Sequence, residues 1–330
     1  MKRIAINGMG RIGRAAFKVI LTDPDLELVG VNDIAPIDTI SYLIEHDSVH
    51  GTFEKKIEVD GATLVIDDQR VPFFNESNPE HLPWDQLDVD VVIESTGLFT
   101  NEEDAEKHIK AGAKTVVLSG PTKSPDVPTV VHGVNSEDGN VRIFSCASCT
   151  TNNISPVIEI LGRRIGVKKA IMTTVHAGTS SNAVVDSPSK RDPRMGRSAL
   201  NNLIPTSTGA AKATTKALPQ YQGKFDGLAI RVPVAVGSIS DITLVTERTT
   251  SEKEINSILT EEAHTDRYKD VFAVTSDPVV SSDIVKSPYA SIADLQMTKV
   301  VDGDLVKVLA WYDNEWGFTN QMIRQIKAHL

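Results

Sequence analysis

Short, nearly continuous apolar runs punctuate the first half of the chain at 4–7, 26–31, 89–94, 115–118 and 130–134. Runs of that length and density predict strands buried on both faces. Between them, 11–21 and 102–111 carry apolar residues at helical spacing among charges. Strand alternating with helix predicts an α/β domain with a doubly wound parallel sheet. Past about residue 150 the pattern changes to longer β-branched alternations at 170–175, 228–233, 238–248 and 306–312. Helical patterns at 153–165, 208–217 and 251–263 accompany them. This half predicts an α+β domain around a mostly antiparallel sheet. The segment 177–205 is polar and rich in Gly, Pro, Ser and basic residues. A loop that long in a compact domain points to function or an interface. A last helical stripe carries Met322, Ile323, Ile326 and Leu330.

The length of 330 residues agrees with two domains. A net charge of -10 disfavours nucleic acid or an anionic membrane as the main partner, while a local basic pocket can still take a phosphate. No apolar run approaches the roughly 20 residues of a membrane span. The N-terminal residues reach a glycine turn too soon to form a signal-peptide core, so the expected location is the cytoplasm. With only Cys146 and Cys149, a disulfide framework is not expected.

Gly8-Met9-Gly10-Arg11-Ile12-Gly13 follows one predicted strand and opens a predicted helix. In such a turn Gly8 permits the tight bend, Gly10 lets the backbone approach a pyrophosphate, and Gly13 allows close helix–strand packing. The helix N-terminus offers free N–H groups to the phosphates. Asp33, at the end of the second strand, suits a ribose diol and repels a 2′-phosphate, which favours NAD over NADP. Glycine-rich strand–helix turns also occur without a ligand; strand, helix and acid together argue for the dinucleotide.

Cys149 stands just before a helical pattern, where the dipole and free N–H groups stabilise a thiolate. An aldehyde oxidation needs such a group: thiolate addition gives a hemithioacetal, and hydride loss then gives a thioester. A buried structural cysteine would have the same spacing. His176 ends the 170–175 strand, as fits a general base or a structural histidine.

Six ordered blocks resemble the phosphorylating glyceraldehyde-3-phosphate dehydrogenases. They are 7–14, 147–152, 174–177, 205–212, 231–233 and 311–317, and the likeness runs from residue 2 to the end. The resemblance implies a Rossmann NAD-binding domain over 1–149, with a C-terminal helix 315–330 packing back on it, and a catalytic domain over 150–314. It implies Cys149 as nucleophile and His176 as base. Arg11 and Ile12 would bind the NAD pyrophosphate region, Asp33 the adenosine ribose, Ser119 the nicotinamide half and Asn314 the nicotinamide amide. Ser148, Thr150, Thr208 and Gly209 would hold the attacking inorganic phosphate. Thr179 and Arg231 would hold the phosphate of glyceraldehyde 3-phosphate. No metal is implied, and 177–205 would be the loop that reaches a neighbouring subunit in a homotetramer.

The chain departs from the family pattern at Cys146, Asn153, Gly178, Asn182, Ser77 and 234–237, which bears on substrate reach and adenine contacts. Pro188 agrees with Asp33 in favouring NAD. Three alternatives stay open: a relative acting on erythrose 4-phosphate, a hydrolytic dehydrogenase, and a non-catalytic dinucleotide sensor or nucleic-acid-binding module. Retention of Thr150, Thr179, Thr208, Gly209 and Arg231 speaks against the first two, and Cys149 with His176 against the third.

Overall fold

The computed structural model describes residues 1–137, 141–189 and 192–329. These form two compact units. The first comprises Met1–Val130, Glu137–Ala147 and Met322–Leu330, the second Val131–Ser136 and Ser148–Gln321. Relative to the sequence partition, 131–136, 148–149 and 315–321 fall in the second unit.

The first unit is built on strands β1 (Lys2–Asn7), β2 (Leu26–Asn32), β3 (Ile57–Asp60), β4 (Thr63–Ile66), β5 (Gln69–Phe74), β6 (Val91–Glu94), β7 (Thr115–Leu118) and β8 (Ile143–Ser145). Their order is β3-β4-β5-β2-β1-β6-β7-β8. From β5 to β8 every neighbouring pair is parallel, and β3-β4-β5 is an antiparallel meander added at one edge. Strand order reverses between β1 and β6, the switch point where a doubly wound sheet binds its ligand. Helices α1 (Arg11–Ile20), α2 (Ile37–Glu45) and α3 (Glu102–Lys110) complete the unit. Helix α1 buries Gly13, Ala15, Ala16, Phe17 and Ile20, the stripe its spacing implied.

The second unit contains α4 (Cys149–Ile165), β9 (Val167–Ala177), β10 (Ile204–Ser207), α5 (Ala210–Ala217), β11 (Phe225–Val232), β12 (Ser238–Thr246), α6 (Glu252–Ala263), β13 (Phe272–Thr275), β14 (Ser291–Val301) and β15 (Leu305–Tyr312). The sheet order is β10-β11-β9-β12-β15-β14-β13; the pairs β11–β9 and β13–β14 are parallel and the rest antiparallel. Strand β12 alternates buried and half-buried residues along its length. Helix α4 packs on β9, β12, β14 and β15 and also touches α5 and α6, so it is buried on every face from Thr150 to Leu161.

Helix α7 (Trp316–His329) closes the described chain. Its last turns cluster with the first unit, where Lys327 Nζ meets Asp23 Oδ2 at 2.8 Å and His329 Nδ1 meets Glu137 Oε1 at 2.5 Å.

One expected strand is absent. Val130, Val131 and Val134 are buried, but Gly133 takes φ +76° and the Val134 N–H turns back to Val131 O at 2.9 Å. The segment's pairing with the sheet is one isolated bridge, Thr129 to Ser145, closed by the Val130 N–H donating to Ser145 O at 2.8 Å. Strands β3, β4, β8, β10 and β13 have four residues or fewer and escaped the pattern reading; β6 and β7 are as short but stand out as fully buried apolar runs. Helix α2 and strands β5 and β14 also went unread. Within 177–205 the described residues form one short 3-10 turn, Pro193–Gly196, and the start of β10.

Candidate active site

The first unit holds a pocket of about 310 Å³ at the carboxyl ends of β1, β2 and β6, lined by Asn7, Gly8, Gly10, Asn32, Asp33 and Thr96 among others. Its shape depends on missing side chains. A Cβ on Gly8, at φ +94°, would lie 2.6 Å from Thr96 N, and one on Gly13 would lie 2.0 Å from Gly8 O. A Cβ on Gly10 would meet nothing within 4 Å, so the backbone there faces open space. Gly10 is also the N-cap of α1 and, having no side chain, gives it no side-chain cap, so nothing on Gly10 competes with an anion at that helix end. Asp33 Oδ2 accepts the Met9 N–H at 2.7 Å and Oδ1 the Ala35 N–H at 2.8 Å, so the carboxylate is fixed in orientation at the pocket wall. These features fit a dinucleotide with a free ribose diol.

Arg11 points its Nη1 at Asp47 Oδ1, 2.9 Å away. Burial works against the Asp47 charge, but the His50 N–H and the Arg11 guanidinium hold its carboxyl well below the usual range. Ile12 lies half-buried in the first turn of α1. Ser119 follows β7 and donates its N–H to Glu94 O at 3.0 Å.

Beneath the pocket lies a buried network that sequence reasoning missed. Glu94 Oε2 accepts from Asn7 Nδ2 at 2.6 Å and from His108 Nε2 at 3.1 Å; Oε1 accepts from Thr96 N at 2.8 Å and from the Thr96 hydroxyl. Trp84 Nε1, which can only donate, meets His108 Nδ1 at 3.0 Å. His108 is therefore the Nε2–H tautomer, a neutral donor to Glu94. Asn7 Oδ1 in turn accepts from Asn32 Nδ2 at 2.7 Å. The partners come from β1, β2, β6, α3 and the turn that carries Trp84, and no local spacing announces them.

In the second unit, Ser148 caps α4 by accepting the Thr151 N–H at 3.1 Å, and Cys149 is the first helical residue. Just ahead, Ala147 adopts φ +60°, a left-handed conformation that is uncommon without glycine. Cys149 Sγ lies 3.4 Å from His176 Nε2, at the end of β9. Part of the cysteine is solvent-accessible, yet protein surrounds the sulfur closely enough that burial pushes the thiol up; the Arg231 guanidinium and Thr150 pull the other way without cancelling it. Burial thus works against the thiolate expected from the helix N-terminus. Burial and then the Arg231 charge bring His176 down to about 4, so the imidazole is neutral and able to take a proton.

Arg231 sits beside His176 because β11 and β9 run parallel with those residues in register. Its Nη1 is 2.6 Å from His176 Nδ1 and 3.1 Å from Ala177 O, while Nδ1 is 2.8 Å from the same oxygen. No carboxylate among the described residues pairs with this guanidinium, its Nε is buried without a partner, and burial lowers its pKa. A buried cation held without a counter-charge is a site for an anionic ligand.

Thr150 Oγ1 bonds the Tyr312 hydroxyl at 2.9 Å, which also meets Thr174 Oγ1 at 2.8 Å, and the Tyr312 ring stands edge-on to His176. Thr208 Oγ1 accepts the Ala210 N–H at 3.1 Å and Gly209 is the N-cap of α5; Thr151 Oγ1 lies 3.5 Å from Ala210 O, which links the first turns of α4 and α5. Thr179 bonds Ser181 and Asn182 within the polar segment, and none of those contacts reaches the thiol. At Gly178 a Cβ would meet only Val234 O and Val232 O, at 3.9 and 4.0 Å, so two positions that depart from the family pattern are neighbours. Asn314 is buried and bonds Ser238. Part of the 311–317 block is structural: Asp313 Oδ1 accepts the N–H groups of Glu315 and Trp316 where α7 begins.

A switch-point pocket with a fixed ribose-side acid, on a chain that also pairs a cysteine with an imidazole, defines a dinucleotide-dependent oxidoreductase. Comparison with known proteins narrows the class. Residues 2–102 match the family model described as "Glyceraldehyde 3-phosphate dehydrogenase, NAD binding domain", and residues 148–314 match its C-terminal domain. Over 325 residues, 97% of this chain and 96% of each relative, the chain is 42% identical to the glyceraldehyde-3-phosphate dehydrogenase of Streptomyces coelicolor. The corresponding identities are 44% for the Zymomonas mobilis protein and 45% for that of Haloarcula vallismortis, at the same coverage. The chain belongs to the glyceraldehyde 3-phosphate dehydrogenase family, and NAD is its cofactor. Among the described residues no helix is long and apolar enough to cross a membrane.

Proposed function

We propose that the chain converts D-glyceraldehyde 3-phosphate and inorganic phosphate to 1,3-bisphosphoglycerate through a thioester on Cys149. The observation that carries this reading is the contact series Cys149 Sγ, His176 Nε2, His176 Nδ1 and an uncompensated Arg231. It supplies a nucleophile, a neutral base and a fixed positive charge in one cluster.

The sulfur adds to the aldehyde carbon as the carbonyl electron pair moves to oxygen, and the thiol proton ends on that oxygen as a hemithioacetal. His176 Nε2 then takes the hydroxyl proton as the thioester forms. NAD, when bound, supplies the acceptor for the departing hydride. A phosphate oxygen next attacks the thioester carbonyl, and Cys149 leaves as thiolate. Arg231 and Thr179 hold the substrate's own phosphate. Ser148, Thr150, Thr208 and Gly209 hold the attacking one, with the first N–H groups of α5 as further neutral donors. Arg11, Ile12, Asp33, Ser119 and Asn314, with Gly8, Gly10 and Gly13, hold the cofactor.

The imidazole tautomer ties the substrate phosphate to the base. Arg231 can only donate to Nδ1, which leaves the ring proton on Nε2; Ala177 O can only accept from Nδ1–H, which leaves Nε2 bare. The bare Nε2 is the base form. A phosphate that draws Arg231 toward itself favours the second arrangement.

We also read the chain as a homotetramer of the cytoplasm. Val184, Val185, Leu200 and Leu203 are each at least 65% exposed in the 177–205 segment, an apolar set suited to burial against another copy. Neither cysteine is in a disulfide, in keeping with a reducing compartment. The test of the reaction is initial-rate NADH formation from glyceraldehyde 3-phosphate with and without inorganic phosphate. Phosphate dependence is expected; equal rates in both would make the enzyme hydrolytic and overturn the proposal.

A further inference from the structure

We propose that Ser238 is a positioning residue that fixes the direction of the Asn314 amide and thereby the seating of the nicotinamide ring. The inference rests on the reading of Asn314 as the nicotinamide ligand, and adds to it a residue that no family block contains.

Ser238 is the first residue of β12 and is fully buried. Antiparallel pairing sets it opposite Tyr312, two residues before Asn314. Its hydroxyl oxygen accepts the Ala177 N–H at 3.0 Å. A backbone N–H can only donate, so the hydroxyl hydrogen must go elsewhere. Asn314 Oδ1, 3.0 Å away, is the acceptor it meets. This bond orients the amide. With Oδ1 turned to Ser238, Asn314 Nδ2 is presented as a donor, and it has no partner among the described residues although Asn314 is 4% exposed. Reversing the amide would leave the buried Ser238 hydrogen without an acceptor, which the interior penalises. A carboxamide oxygen is the complement of the donor left free. The same hydroxyl tethers Ala177, the residue after His176, so the base and the cofactor-facing amide share one anchor.

The experiment is equilibrium titration of the full chain with NAD and with ADP-ribose, which lacks the nicotinamide. Ser238→Ala is expected to weaken NAD about fivefold, the factor for one ordinary hydrogen bond, and to leave ADP-ribose unchanged. ADP-ribose binding also reports that the pocket has folded. Ser238→Thr, which keeps the hydroxyl, should restore the ratio. With 1-deuterated substrate, proton NMR at C4 of the reduced cofactor should show deuterium on one ring face in the parent chain and on both in Ser238→Ala. Equal weakening of both ligands would mark a merely structural residue and overturn the proposal. So would an unchanged ratio in Ser238→Ala while Asn314→Ala weakens NAD selectively, and in that case Asn314 keeps its role. If Asn314→Ala weakens neither ligand, the reading of Asn314 falls and the proposal with it.

Discussion

The candidate sites of the two units are made of different material. In the first unit the pocket is largely backbone: three glycines within six residues, a bare helix N-terminus and one acid whose two oxygens are tied to N–H groups. The charge below it, on Glu94, is met by neutral donors. In the second unit the cluster consists of side chains from α4, β9, β11 and β15, with Cys149 and His176 27 positions apart and His176 and Arg231 55 apart. Its charge is a guanidinium without a counter-ion. A dinucleotide can be recognised through many contacts to a rigid, mostly backbone surface. A group that arrives charged and leaves altered needs an unspent charge and a base whose protonation can change.

The contrast can be broken by substitution, beginning in the second unit. Cys149→Ser should lower turnover at least about a thousandfold, since a hydroxyl beside a neutral imidazole is a poor nucleophile. Retention of near-parent NADH formation would remove the thioester. The His176 shift predicts a pH effect on stability. Its folded value, about 4, lies below the unfolded value, so the unfolded chain binds the proton more readily. Stability is therefore complete above about pH 6.5 and falls, by up to about 3 kcal/mol, as pH drops toward 4. Urea unfolding at a series of pH values should show that slope, and His176→Asn should flatten it; an identical slope in the variant would refute the buried neutral imidazole.

The first unit should answer differently. Glu94→Gln keeps the shape but turns an amide NH₂ toward donors, at a cost of about 1–3 kcal/mol in stability. The check is the urea midpoint together with NAD affinity; no change in either would mean that the network bears no weight in the pocket. Smallest is Asp33→Ala, expected to weaken NAD about tenfold and NADP much less. Equal losses for the two cofactors would show that Asp33 does not read the ribose.

The dinucleotide half was legible because its determinants are local. Gly8, Gly10, Gly13 and Asp33 occupy one strand–turn–helix–strand stretch, where spacing and geometry are nearly the same statement. The thiol half was legible only through resemblance. Cysteine before a helix and histidine at a strand end have structural alternatives at least as common, and nothing in their spacing shows that Sγ and Nε2 come within 3.4 Å. The apolar run at 130–134 misled because Gly133 bends it, and its valines are buried beside a single isolated bridge to the sheet.

Periodicity and glycine placement by themselves determined two fold classes in order along the chain, a dinucleotide turn and a cysteine at a helix start, because these depend on backbone sterics within a few residues. Tertiary structure alone decided that Arg231 lies against His176, that Trp84 fixes the tautomer of the imidazole beneath the pocket, and that Ser238 holds Asn314. Those contacts depend on strand order and register, which are set by the packing of the whole unit and leave no mark in any one stretch of residues.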